Sequence, residues 1–160
     1  MSKNSLKTVV LGRRQVLKSV GLGALALTGS GLASRDALAT PEKAAAYLSR
    51  MTGGAASKEG RVTVKLPEIA ENGRTVPITI SVDSPMTDSD YVKSIHVVAE
   101  GNPTPEVISI NMTPAMGKAE VSTRMRLGET QNVRAAAIMS DGSVYTGTKQ
   151  VKVTIGGCGG

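Results

Sequence analysis

Residues 119–127 read AEVSTRMRL. Taken alternately, Ala119, Val121, Thr123, Met125 and Leu127 fall on one side of an extended chain, and Glu120, Ser122, Arg124 and Arg126 on the other. A helix, with its period of 3.6, would scatter both sets around its circumference; a strand sorts them into an apolar and a polar face. The stretch is therefore expected to be a strand resting one face on a core. The same alternation spreads outward in both directions. RVTVKL at 61–66 offers Val62, Val64 and Leu66, and VPITISV at 76–82 offers Val76, Ile78, Ile80 and Val82, with Pro77 implying an edge or a strand start. KSIHVVA at 93–99 offers Ile95, Val97 and Ala99, and VISINM at 107–112 offers Ile108, Ile110 and Met112. Val133, Ala135, Ala137 and Met139 precede Asp141-Gly142, a hairpin signal because both residues tolerate positive φ, and VKVTI at 151–155 closes the set. Seven or eight short strands separated by turn residues predict a mainly β chain: an immunoglobulin-like antiparallel β-sandwich over residues 40–155.

A short N-terminal helix opens that domain. Thr40 is suited to cap it, Pro41 to its first position and Glu42 to its positive end, while KAAAYLSRM carries good helix formers and Thr52-Gly53-Gly54 stops it. Residues 1–39 read as a targeting segment. Lys3, Lys7, Arg13, Arg14 and Lys18 make a basic front, a glycine-punctuated apolar run follows from 19 to 33, and ALA at 37–39 is a small-x-small cleavage site between Ala39 and Thr40. The run is shorter than the roughly 20 residues that span a bilayer. GRRQVLK from Gly12 resembles a twin-arginine signal, with Val16 where phenylalanine is more usual and Gly12 in place of serine or threonine. Export to the periplasm by the twin-arginine route, with no membrane attachment after cleavage, is the expectation.

Removing the leader changes the charge argument. It takes six of the 19 Lys and Arg and one of the 13 acids, leaving 13 basic and 12 acidic side chains in the mature chain. The basicity thus belongs to the leader. Phe and Trp are absent and only Tyr47, Tyr91 and Tyr145 remain, so there is no stacking platform for bases and no reason to expect nucleic acid as a partner. His96 and Cys158 are the single histidine and cysteine, too few for a structural zinc site, and no metal or cofactor is expected. His96 sits in a strand between inward-facing neighbours and reads as a structural or solvated residue before a catalytic one. Asp88 and Asp90 could form a metal loop, but acids in a turn after proline are common. Arg124, Arg126 and Arg134 would share a solvated sheet face or, as a second reading, a partner interface. Met112, Met116, Met125 and Met139 read as packing where aromatic filler is missing.

The chain ends on VTIGGCGG, residues 153–160. In an oxidising compartment, one cysteine points to an intermolecular bond or a reactive thiol. Glycine reaches backbone conformations closed to other residues, so Gly156 and Gly157 would make a swivel, and Gly159 and Gly160 leave no side chain beyond the thiol. Three residues past Ile155, Cys158 would reach up to about 10 Å from the domain. No Lys, Arg or His adjoins it to stabilise a thiolate, so activation would come from a receiving enzyme and the thiol would serve as a handle. Two alternatives stay open: an exported, non-catalytic binding or structural sandwich with an incidental free cysteine, and a thiol oxidoreductase lacking a second cysteine.

The GGCGG terminus, together with LPEIAENG at 66–73, VPITISVDSPM at 76–86, DYVKSIHVVAEGNPTPEV at 90–107 and KAEVSTRMRL at 118–127, resembles the SoxY family of sulfur-carrying subunits in periplasmic thiosulfate oxidation. The resemblance spans the mature chain. It implies an immunoglobulin-like sandwich that forms a heterodimer with a SoxZ-like sandwich subunit, the pair being exported prefolded on one leader. It implies covalent attachment of thiosulfate-derived sulfur to Cys158, with Gly156, Gly157, Gly159 and Gly160 as a swinging arm over 156–160. It implies a c-type cytochrome, a dimanganese sulfohydrolase and a sulfane dehydrogenase as transient partners, and no catalysis by the carrier itself.

Overall fold

The computed structural model describes residues 40–156; the leader with Arg13, Arg14 and Ala39, and the terminal Gly157, Cys158, Gly159 and Gly160, lie outside them. The helix is present. In α1 (Pro41–Met51) the Thr40 hydroxyl accepts a hydrogen bond from the Lys43 amide at 3.4 Å, Pro41 takes the first turn and Glu42 stands near the positive end. Past the C-cap at Thr52, Gly53 and Gly54 carry φ of 64° and 72°, the left-handed geometry that ends helices.

Nine strands follow: β1 (Ser57–Glu59), β2 (Val62–Lys65), β3 (Ile69–Asn72), β4 (Val76–Val82), β5 (Val92–Ala99), β6 (Glu106–Asn111), β7 (Glu120–Met125), β8 (Gln131–Met139) and β9 (Val144–Ile155). They form two sheets. The smaller is β2-β4-β7, antiparallel throughout; the larger runs β1-β9-β8-β5-β6, with β3 also on β9. The two sheets meet as a β-sandwich, the fold class that the alternation predicts. Val62, Val76, Ile78, Ile80, Val82, Met125 and Leu127 from the small-sheet side pack on Ile95, Val97, Val133, Ala135, Ala137 and Val151 from the large one. Burial of such side chains, worth about 1.5–3 kcal/mol each, is the main stabilising contribution.

The large sheet is covered on its other face as well. Ala44 and Leu48 of α1 lie on Val98, Ala136 and Val144, so β5 and β8 bury residues on both faces. Small side chains at Ala44 and Ala136 let the helix lie close to the strand. The small sheet's outer face stays polar, with a Thr79–Ser122 hydroxyl contact of 2.8 Å across β4 and β7.

Three features depart from the expectation. β9 has 12 residues, not the five of VKVTI, because β8 offers it a ladder from Ile138↔Val144 to Gln131↔Val151, although Gly147, Lys149 and Gln150 break any apolar pattern. β1 and β3 were not anticipated, and both pair with β9 in parallel, which makes the large sheet mixed. Side-chain alternation reports which face is buried and says nothing of the direction of a neighbour. The Asp141-Gly142 hairpin exists, yet only Gly142 has positive φ, at 83°; the Gly142 amide donates to the Met139 carbonyl and the Met139 amide to the Ser143 carbonyl, a three-residue loop. Gly147 has a separate reason: an added Cβ would run into the Val62 carbonyl oxygen of β2, which crosses there.

Leu127 has no exposed surface. Leu127→Ala is expected to lower unfolding free energy by about 2–5 kcal/mol, whereas Glu120→Gln on the polar face should change it by less than about 0.5 kcal/mol. Urea titration of both variants measures the contrast.

Candidate functional site

The surface that matters is the end of β9, where the chain leaves for Cys158. The β8–β9 ladder stops at Gln131↔Val151, so residues 152–156 lose that neighbour. On one side β3 takes over in parallel register, Ile69↔Lys152, Ala70↔Val153 and Asn72↔Ile155. The Lys152 amide donates to the Glu68 carbonyl at 2.9 Å, and the Gly73 amide donates to the Ile155 carbonyl at 2.7 Å. On the other side the segment after β7 stands in for a strand. The Val153 amide donates to the Thr130 hydroxyl at 2.9 Å.

Gly156 lies directly against this segment, where an added Cβ would run into the Gly128 carbonyl oxygen. Close approach of two backbones is thus the reason for glycine visible at 156. No signal in GGCGG distinguishes that from the conformational freedom expected of it. Ile155, expected to face inward with Val151 and Val153, is 66% exposed. The apolar cluster ends at Val153, and nothing from the small sheet opposes the last residue. Of the arm, only Gly156 is among the described residues; of the cleavage site, only Thr40, which caps α1.

The remaining candidates resolve into structural roles. His96 is 5% exposed on the outer face of β5, with Nδ1 2.9 Å from the Ser109 hydroxyl and Nε2 3.0 Å from the Ser94 hydroxyl. Ser109 is in turn 3.3 Å from the Tyr47 hydroxyl of α1. Burial pushes the His96 pKa down from its ordinary value, and the Glu106 carboxylate opposes the shift more weakly. Burial also raises the Tyr47 pKa. Asp90 pairs with Arg61 at 3.4 Å, and among the described residues no group of three or more His, Cys, Asp or Glu is placed to hold a metal ion.

The three arginines do not share a face. Arg124 and Arg126 are exposed on the small-sheet side. Arg134 belongs to β8, under the flank of α1, where its Nη2 lies 2.8 Å from Glu100 Oε1. That contact is electrostatic and not an aligned hydrogen bond, because Glu100 Oε1 has no hydrogen-bond partner; Oε2 accepts from Asn132 Nδ2 at 3.0 Å. Alternation could not anticipate the split, since Arg134 follows a turn that carries the chain from one sheet to the other. Met112, Met125 and Met139 are buried as packing residues, but Met116, in the short 3-10 turn Pro114–Met116, is 52% exposed.

Fold and site together define a class: a helix-covered β-sandwich whose last strand is clamped to its end and hands a single-cysteine glycine tail outward. The chain belongs to the SoxY family, since the family model described as "Sulfur oxidation protein SoxY" matches residues 48–158. Its structure is similar to that of the sulfur carrier protein SoxY from Chlorobium limicola f thiosulfatophilum, with 32% sequence identity and a TM-score of 0.62, over 72% of this chain and 100% of that one. Superoxide reductase (neelaredoxin) from Ignicoccus hospitalis aligns over 71% of this chain and 92% of its own with a TM-score of 0.53. At 17% identity that likeness shows the fold alone. No curated protein matches the chain.

His96 generates a pH prediction. Its folded pKa is lowered, so the unfolded state binds the proton first as pH falls through the ordinary value near 6.5. The stability contributed by the neutral ring is full above that value and is lost as pH falls toward the lower, folded one. The urea midpoint is expected to drop between about pH 7.5 and pH 5.5, and to drop less in His96→Gln. An equal drop in both proteins would show that His96 is not the titrating group.

Proposed function

We propose that this chain is the sulfur-substrate carrier of a periplasmic thiosulfate-oxidation system and that Cys158 is its point of attachment. The observation that carries the reading is the extent of the family match: it runs through residue 158 and so includes the cysteine. The described body supports it from the other direction. Its polar groups are engaged in the fold, its histidine is buried between two serines, and its last strand ends at the surface next to the tail.

The chemistry asked of Cys158 is simple. The thiol and thiosulfate join through a new S–S bond, losing the thiol proton and two electrons; the electrons go to a c-type cytochrome partner. Hydrolysis of the resulting cysteine S-thiosulfonate by a dimanganese sulfohydrolase breaks the bond between the sulfane sulfur and the sulfonate. It releases sulfate and leaves a persulfide on Cys158. A sulfane dehydrogenase is the partner for further oxidation of that sulfur. The carrier's share is to hold and present. A thin tail suits entry into a narrow site, and ordering each of its residues there takes on the order of 1–2 kcal/mol, which keeps docking reversible. A SoxZ-like sandwich subunit completes a heterodimer.

Export by the twin-arginine route through Arg13 and Arg14, with cleavage between Ala39 and Thr40, belongs to the same proposal. Cleavage there keeps Thr40, the helix cap, in the mature chain. Replacing Arg13 and Arg14 together by Lys is expected to leave the uncleaved chain in the cytoplasm, read by fractionation and intact mass. Recovery of mature protein from the periplasm would reject the route.

The central test is intact-mass measurement on protein purified from cells oxidising thiosulfate. Sulfur and sulfonate adducts are expected, all lost in Cys158→Ser. Unmodified protein, or adducts that survive the substitution, would overturn the reading in favour of a non-catalytic sandwich module with an incidental cysteine.

A further inference from the structure

The segment that receives Gly156 is itself held by a clasp of two buried amides. Asn102, 9% exposed in the turn after β5, spans the segment from its two ends: Nδ2 donates to the Arg126 carbonyl at 2.8 Å, and Oδ1 accepts from the Gly128 amide at 3.0 Å. Gln131, 6% exposed at the start of β8, donates from Nε2 to Asn102 Oδ1 at 3.0 Å and to the Glu129 carbonyl at 3.1 Å, and its Oε1 accepts from the Gly101 amide at 2.6 Å. Backbone donors at Gly101 and Gly128 fix which end of each amide is oxygen. Buried polar groups so fully engaged specify one arrangement, because each bond lost leaves a partner unpaired. Gly101 packs tightly here too: an added Cβ would fall 2.9 Å from Glu129 Oε1 and 3.3 Å from Gln131 Cβ.

We propose that Asn102 and Gln131 are positioning residues for the carrier tail: by bracing residues 126–130 they hold Gly156 against Gly128, so that Cys158 is presented from a fixed point only two residues away. The inference rests on the carrier reading for its purpose. From a root at Gly156 the Cys158 Cα reaches about 7 Å, whereas a chain loosened back to Lys152 would reach about 20 Å. Effective concentration falls roughly as the −3/2 power of tether length, so tripling the tether dilutes the thiol near the root about fivefold. The clasp keeps the handle short and aimed while leaving its last residues to the visiting enzyme.

The test uses the full chain carrying nitroxides at Cys158 and at Lys65→Cys, an exposed position on β2. Pulsed electron-spin distances are compared with and without Asn102→Ala or Gln131→Ala. The distance distribution is expected to broaden about twofold or more in either variant, under conditions where circular dichroism shows the sandwich intact. Leu48→Ala, which opens a cavity beneath α1, should leave the width unchanged. If Asn102→Ala fails to fold, Gln131→Ala and Gly156→Ala decide. Unchanged widths in the folded clasp variants, or equal broadening in Leu48→Ala, overturn the proposal. The labelled thiol carries no sulfur cargo, so this outcome is independent of the adduct measurement: a loose tail with adducts defeats the clasp, and a clasped tail without adducts defeats the carrier.

Discussion

Strand β9 runs for 12 residues and must find partners for its backbone on both sides. An amide or carbonyl removed from water without a hydrogen bond costs about 1–3 kcal/mol, so a strand this long within a sheet is stable only if its flanks are filled. One flank is β8. The other is divided between two short segments, β1 against residues 144–146 and β3 against 152–155, both parallel. Where β8 turns away at Gln131, the Thr130 hydroxyl and the Gly128 backbone continue the edge. Every feature at the exit of the chain follows from that requirement: the parallel patches, the glycine at 156 and the braced segment after β7.

A second constraint is the near absence of aromatic side chains. Without Phe or Trp the sandwich fills its core with Val, Ile, Ala and Met, and the sheets must lie close. Gly147 facing the Val62 backbone is one mark of that closeness, and the alanines at 135, 136 and 137 in β8 are another. Small residues on the outer face admit α1, and the helix converts a solvent-facing sheet into a buried layer. His96 and Ser94, polar residues on that covered face, then need each other and Ser109 to satisfy their hydrogen bonds.

The body that results is chemically quiet. Its buried charge, Glu100, is compensated by Arg134 and Asn132, and its histidine is bound on both ring nitrogens. For a protein proposed to carry a reactive sulfur intermediate between enzymes, such a body has an advantage. It offers the cargo no competing nucleophile from the described residues and leaves recognition to its surfaces.

The inward faces of β2, β4, β5, β7 and β8 were legible from the chain because a period of two is local: each strand's own residues say which side meets the core. Thr40, Pro41 and Glu42 announced α1 for the same reason, and GGCGG with four internal stretches announced the family. What no local pattern carries is who lies beside whom. The parallel pairing of β1 and β3, the extra length of β9, the separation of Arg134 from Arg124 and Arg126, and the exposure of Ile155 and Met116 are all set by neighbours distant in sequence. Asn102 and Gln131 read as ordinary turn and strand residues until the fold brings them together across 29 positions. The sequence by itself determined the faces, the helix and the family; only the tertiary structure decided the pairing directions and the clamped end of β9, because hydrogen-bond partners across a sheet are chosen by position in space.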